Sequence, residues 1–151
     1  MNMIFLPPGG ICCPPEPTVV TTILGSCVAV CLWDRKRRIG GMNHFVLPHC
    51  NETAPTPRYG DVAINRLLVG MERLGCQRSD LRAKVFGGAA VLPVGEQDNT
   101  VGTHNVGAAL QTLRAHGIPV VARRTGGQRG LFLRFHTEEG RVLLRELGRP
   151  V

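Results

Sequence analysis

Aromatic side chains are scarce in this 151-residue sequence: they make up 5% of it, with one Trp and one Tyr. Proteins that bind single-stranded nucleic acid use aromatic side chains as stacking platforms among basic residues. The net charge of +7 attracts acidic partners at long range. However, the only basic block is residues 35–38, RKRR, and no aromatics are interleaved with it. The sequence therefore favours a solvated basic surface, or an acidic protein partner, over nucleic acid.

Long apolar runs are also missing. No stretch approaches the roughly 18 unbroken apolar residues of a membrane span. Residues 1–13, MNMIFLPPGGICC, have no basic start and carry early prolines, unlike a signal peptide. We therefore expect a cytoplasmic protein without membrane insertion. In that compartment the six cysteines are expected to be free thiols.

Phosphate-binding glycine motifs are absent, since the sequence contains neither GxxxxGKS/T nor GxGxxG. A CxxC pair is absent too, and the spacing of the candidate zinc ligands fits no common structural site. These candidates are Cys12, Cys13, His44, His49 and Cys50. We expect neither a metal nor a cofactor.

The periodicity predicts an α/β protein. Residues 1–17 hold five of the eleven prolines and are expected to form an irregular lead-in, followed by one domain over 18–151. The predicted fold is a single-domain layered α/β sandwich with mixed, largely antiparallel strands and two main helices. Strands are predicted at 18–23, 27–33 and 39–47, and a short strand that enters Gly87-Gly88 within 83–92. Helices are predicted at 61–74 and 103–116, and three further strands within 118–147.

Cys27, in the stretch LGSCVAVCLWD, is the candidate nucleophile. A four-residue hairpin loop over 34–37 would pair Trp33 with Arg38 and put Cys27 opposite His44. A neighbouring imidazole can accept the thiol proton, and the backbone N–H groups near Gly25 and Ser26 could stabilise an oxyanion. A one-residue slip would send Cys27 to the other face. The residues alone thus leave open a buried, inert thiol and a core histidine.

Three stretches together resemble the CheD family of chemoreceptor glutamine deamidases. They are TTILGSCVAVCLWD…GGMNHFVLP (21–48), RYGDVAINRLLVGMERLG…LRAKVFGGAAVL (58–92) and VGTHNVGAALQTLRAHGIPVVARRTGGQRG (101–130). The resemblance implies a layered α/β sandwich and a Cys-His amidohydrolase. It implies that Cys27 is the nucleophile, His44 the acid–base group and Thr21 the third member, with Thr22 close by.

The resemblance also implies partners. The substrate would be glutamines on the cytoplasmic helices of methyl-accepting chemoreceptors, and a CheC-type phosphatase would be a second partner. Removal of methyl esters from receptor glutamates would be the same acyl chemistry with another leaving group. The alternative is a non-catalytic adaptor that binds receptor helices or the phosphatase. The proline-rich start, with Cys12 and Cys13, departs from the family pattern, and these two thiols are expected to be incidental surface groups.

Overall fold

A computed structural model describes residues 1–90 and 100–148. It has three layers: a four-stranded sheet, a five-stranded sheet and a pair of helices. The elements in chain order are β1 (Asn2–Phe5), β2 (Ile11–Cys12), β3 (Thr18–Leu24), β4 (Val28–Asp34), β5 (Ile39–Asn43), α1 (Gly60–Arg73), a short 3₁₀ turn (Arg78–Asp80), β6 (Leu81–Gly87), α2 (Val101–Ala115), β7 (Val120–Thr125), β8 (Leu131–His136) and β9 (Arg141–Glu146).

The strand order is β1-β3-β8-β9 in the four-stranded sheet and β2-β5-β4-β6-β7 in the five-stranded sheet. Among the strands of residues 1–90 and 100–148, only the β1–β3 and β6–β7 pairs are parallel, and the other neighbouring pairs are antiparallel. The predicted fold class is therefore confirmed. The three strands predicted within 118–147 all form, but β7 belongs to the five-stranded sheet while β8 and β9 belong to the other. Of the strand predicted at 83–92, residues 91 and 92 lie outside the described residues.

Strand β4 is buried on both faces, as its continuous apolar run predicts. One face packs with α1 and α2, and the other packs against the four-stranded sheet. The first core includes Val28, Val30, Leu32, Ile64, Leu67, Met71, Leu113 and, from β6, Val85. The second lies between the two sheets and includes Val20, Leu24, Ala29, Cys31, Met42, Leu133 and Phe135.

The N-terminal segment is more regular than predicted. Strand β1 adds to β3 in parallel, and β2 pairs with β5. The prolines all lie outside these two strands, so they remove no ladder donor. Between the strands the chain turns where the Gly10 N–H donates to the Pro7 carbonyl. The lead-in is thus part of both sheets.

Helix α1 begins at Gly60, one residue earlier than predicted, and its N-cap is Tyr59. The Asp61 carboxylate accepts hydrogen bonds from the N–H groups of Cys50 and Val62. It therefore anchors the preceding loop to the first turn of the helix. Neither helix is long and apolar enough to cross a membrane, within the parts of the chain that the structure describes.

Candidate active site

The β4–β5 hairpin differs from the predicted register by two residues. Asp34 pairs with Ile39 and Trp33 with Gly40, so the loop is residues 35–38 and the predicted pairing of Trp33 with Arg38 is wrong. Asp34 Oδ1 accepts the N–H groups of Lys36 and Arg37 at 2.9 and 3.1 Å, and the Asp34 carbonyl accepts the Arg38 N–H. Asp34 thus ends the strand and also stabilises the turn.

Because a shift of two residues preserves the face, Cys27 and His44 still point the same way. The register extends to a bridge between Val28 and Phe45, with hydrogen bonds of 3.1 and 2.9 Å. Both of those side chains pack towards the helices. Cys27 is one position from Val28, and His44 is one position from Phe45. Both side chains therefore point the other way, into the space between the sheets, where Cys27 packs against the core. As diagonal neighbours, rather than the predicted opposite pair, they are about 7–8 Å apart at the backbone, within side-chain reach.

Thr22, not Thr21, is the threonine that contacts the histidine. Its Oγ1 lies 2.7 Å from His44 Nδ1 and 2.7 Å from the Leu6 carbonyl oxygen. Thr22 is fully buried and shares the inner face of β3 with Val20 and Leu24. Thr21 points to the opposite face, because side chains alternate along a strand. The contact to His44 expected of Thr21 is therefore made by its neighbour Thr22.

These contacts determine which ring nitrogen of His44 carries the proton. Thr22 has one hydroxyl hydrogen and donates it to the Leu6 carbonyl, which can only accept. Thr22 Oγ1 must then accept from His44 Nδ1–H. This network assigns the lone pair to Nε2, which has no hydrogen-bond partner among the described residues. The imidazole is therefore oriented with a free basic nitrogen.

The N-terminal segment also holds the histidine backbone. The Gly9 N–H donates to the His44 carbonyl at 2.7 Å, and the His44 N–H donates to the Gly10 carbonyl at 3.1 Å. Together with the Leu6 carbonyl, these bonds fix both the main chain and the ring of His44. The segment predicted to be an irregular lead-in thus builds one wall of the site.

Burial keeps the thiol and the imidazole neutral at rest. It raises the pKa of Cys27, and the N–H of the same residue offsets part of that effect. Burial likewise lowers the pKa of His44, an effect partly opposed by the nearby Leu6 backbone. Each shift disfavours the charged form. The arrangement therefore favours proton transfer during attack by sulfur over a preformed thiolate–imidazolium pair.

The thiols of Cys12 and Cys13 are half-buried, not the incidental surface groups predicted. Cys12 packs against the core between the sheets, and Cys13 against the core under the helices. Burial raises the pKa of Cys12 to about 11 and that of Cys13 to about 12. Both are therefore protonated at neutral pH and poorly reactive.

The loop that leads into Cys27 is fixed by its carbonyl groups. The carbonyl oxygens of Gly25 and Cys27 accept the N–H groups of Ala89 and Gly88, both at 2.9 Å, and the Ser26 carbonyl accepts from a side-chain amide of α2 at 3.0 Å. In a trans peptide the C=O and N–H point in opposite directions. The N–H groups of Ser26 and Cys27 are therefore held facing away from these donors, as preorganised oxyanion donors need to be.

The glycine pair 87–88 permits this close approach. A Cβ on Gly87, whose φ is +106°, would overlap the Cys27 carbonyl oxygen. Gly88 also has a positive φ, +72°, and contacts the α2 backbone. The close packing of β6 against the Cys27 loop and α2 therefore depends on glycine at these two positions.

Asn105, the source of the α2 amide, was not identified from the sequence. It is fully buried on a helix face that is otherwise made of small and apolar residues. A polar residue interrupting the apolar stripe of α2 is the one signal that could have identified it. Within residues 1–90 and 100–148, no three His, Cys, Asp or Glu side chains are grouped to hold a metal ion.

Comparison with known proteins identifies the family. The family model described as CheD chemotactic sensory transduction matches residues 46–146. A protein of Rhodospirillum rubrum named probable chemoreceptor glutamine deamidase CheD is 58% identical over 143 residues, covering 95% of this chain and 81% of the relative. Similarly named proteins of Anaeromyxobacter dehalogenans and Sulfurimonas denitrificans are each 44% identical, covering 95% and 86% of this chain and 84% and 85% of their own lengths. The resemblance inferred from the motifs is thus confirmed, and the chain belongs to the CheD family.

Proposed function

We propose that this protein is a chemoreceptor glutamine deamidase in which Cys27 is the nucleophile and His44 the general base and acid. The names of its relatives support the reaction class. The observation that carries the assignment of residues is the hydrogen-bond chain from His44 Nδ1 through Thr22 to the Leu6 carbonyl. It leaves Nε2 basic on the face that His44 shares with Cys27.

The reaction begins when Cys27 Sγ attacks the carboxamide carbon of a glutamine while its proton moves to His44 Nε2. The oxygen of the tetrahedral intermediate accepts hydrogen bonds from the N–H groups of Ser26 and Cys27. His44 then gives its proton to the departing nitrogen, which leaves as ammonia, and a thioester remains. Water attacks the thioester, with His44 again taking a proton. The proton returns to sulfur as the thiol departs, and glutamate is the product.

The charge of the chain supports an acidic macromolecular substrate. A net charge of +7 accelerates the encounter with an acidic receptor helix and makes the rate sensitive to salt. Removal of a receptor methyl ester would use the same thioester, with methanol leaving instead of ammonia. A CheC-type phosphatase remains a predicted second partner.

The direct test incubates the protein with a cytoplasmic chemoreceptor fragment and follows the fragment by peptide mass spectrometry. Individual glutamine peptides are expected to gain the mass that accompanies replacement of NH₂ by OH, with one ammonia released for each conversion. Fragments carrying methylated glutamates test the esterase reaction in the same experiment. Binding without any change of mass would favour the adaptor function and contradict this proposal.

The exchange of Thr22 for valine is expected to lower kcat. It keeps the shape of the side chain but leaves His44 Nδ1–H and the Leu6 carbonyl without their shared partner. An unsatisfied buried polar group costs about 1–3 kcal/mol, which corresponds to roughly a 5- to 150-fold loss if it falls on the transition state. Steady-state ammonia release measures the effect.

The adjacent threonine provides a matched control. Thr21→Val makes the same chemical change one position along, on the outer face of β3, level with Phe5 and Arg134. It is expected to leave kcat unchanged, and Thr22→Ser should retain most activity because it keeps the hydroxyl. A loss in Thr21→Val together with normal activity in Thr22→Val would overturn the assigned hydrogen-bond chain.

A further inference from the structure

Asn105 is a buried amide whose two donor hydrogens are both used at the nucleophile. Its Nδ2 donates to the Ser26 carbonyl at 3.0 Å and to the Val46 carbonyl at 2.9 Å. Burial of an amide in an apolar helix face is unfavourable unless such bonds are formed. The side chain is therefore committed to one orientation.

The two acceptors lie in the two segments that carry the reacting groups: Ser26 in the loop before β4 and Val46 beyond the end of β5. Val28–Phe45 is the last bridge between them, and Val46 would face Cys27 if the ladder continued. The next hydrogen-bonded pair of the ladder would be Ser26 with Leu47. That pair does not form, because the Leu47 N–H donates to the Arg58 carbonyl at 3.0 Å and the Ser26 carbonyl accepts from Asn105 instead. Asn105 thus joins the strands at the point where their own hydrogen bonding ends.

Each bond fixes one feature of the site. The bond to Ser26 fixes the Ser26–Cys27 peptide plane and hence the direction of the Cys27 N–H. The bond to Val46 holds the chain two residues beyond His44 at a set distance from Ser26. We infer that Asn105 is a positioning residue that holds the nucleophile loop against the His44 strand and aims the Cys27 N–H at the oxyanion. This inference rests on the proposed function.

The test replaces Asn105 with aspartate, which has the same shape but presents a carboxylate to two carbonyl oxygens. We expect kcat to fall on the order of 10²-fold, the effect of losing one oxyanion donor, with KM nearly unchanged. Asn105→Ala removes the same bonds without burying a charge and is expected to reproduce the loss, so the test does not depend on the folding of the aspartate variant.

The matched control is Leu113→Ala, a core truncation two turns further along the same helix. It should lower the melting temperature, yet leave kcat per folded molecule unchanged. If the Asn105 variants lose no more kcat than Leu113→Ala at equal folded fraction, Asn105 is only a packing residue and the inference fails.

A second measurement needs no receptor. Backbone amide NMR spectra of Asn105→Ala should show shifts concentrated at residues 25–28 and 45–47, whereas those of Leu113→Ala should not. Unchanged amide chemical shifts in both segments would refute the positioning role of Asn105. If the amide chemical shifts change in Asn105→Ala but the wild-type protein releases no ammonia, the positioning role of Asn105 is supported and the proposed function is refuted. The two failures are therefore distinguishable.

Discussion

Replacement of Cys27 by alanine is expected to abolish ammonia release from receptor fragments while leaving the protein folded and able to bind them. Without sulfur no thioester can form, and loss of the nucleophile in a comparable hydrolase costs on the order of 10⁶ in kcat. Cys27 is half-buried at the edge of the core between the sheets, so removal of one sulfur atom changes little packing. Ammonia release and binding of the same fragment are measured side by side.

Cys31 provides the control, because it lies on the same face of β4 and is fully buried. Cys31→Ala should lower stability by about 1 kcal/mol, as expected for a small cavity, and should keep full activity. Burial raises the pKa of Cys76 to about 11 and suppresses ionisation of Cys31 further still. Iodoacetamide should therefore modify Cys27 ahead of both. Normal deamidation by Cys27→Ala would eliminate the thioester mechanism.

The shared face of Cys27 and His44 was predictable because it does not depend on the exact register of the hairpin. The predicted loop began one residue early, which changed each paired position by two. A shift of two residues leaves every side chain on its original face. The sequence therefore predicted that the two side chains share a face, although it did not predict which residues stand directly opposite.

Which of the two threonines contacts His44 was not predictable from the sequence. In TVVTTIL, apolar side chains occupy both alternating positions, so the pattern does not reveal which face of β3 is buried. The buried face is determined by packing against the five-stranded sheet. The strands of that sheet are not adjacent to Thr21 or Thr22 in the sequence. Only the packed structure, with Val20, Thr22 and Leu24 buried, distinguishes the two.

The contributions of the N-terminal segment and of α2 were missed for a related reason. The Leu6, Gly9 and Gly10 backbone groups act through hydrogen bonds to β3 and to His44, more than ten residues away in sequence. Asn105 reaches the nucleophile loop across 79 residues. Proline content reports only where the chain is locally restricted, and helical periodicity reports only which face of a helix is apolar. Neither identifies a hydrogen-bond partner that is distant in sequence.

Replacement of His44 by alanine is expected to lower kcat by about 10²–10⁴-fold, the range for removal of a general acid–base group. The pH profile gives a second signature. Burial lowers the pKa of His44 below the ordinary value of 6.5, so wild-type kcat/KM should fall on acidification with a midpoint below 6.5. The fall occurs because the protonated imidazole can no longer accept the thiol proton. In His44→Ala this acid limb should disappear from the residual activity.

His49→Ala is the control for that profile, since His49 is exposed in the loop that follows the same strand. It should retain both the wild-type rate and the acid limb. Stopped-flow or coupled ammonia assays between mildly acidic and neutral pH measure all three proteins on one receptor fragment. An acid limb that persists unchanged in His44→Ala would assign the titration to another group. If kcat of His44→Ala were also undiminished, His44 would not be the acid–base group. The hydrogen-bond chain through Thr22 would then have only a structural role.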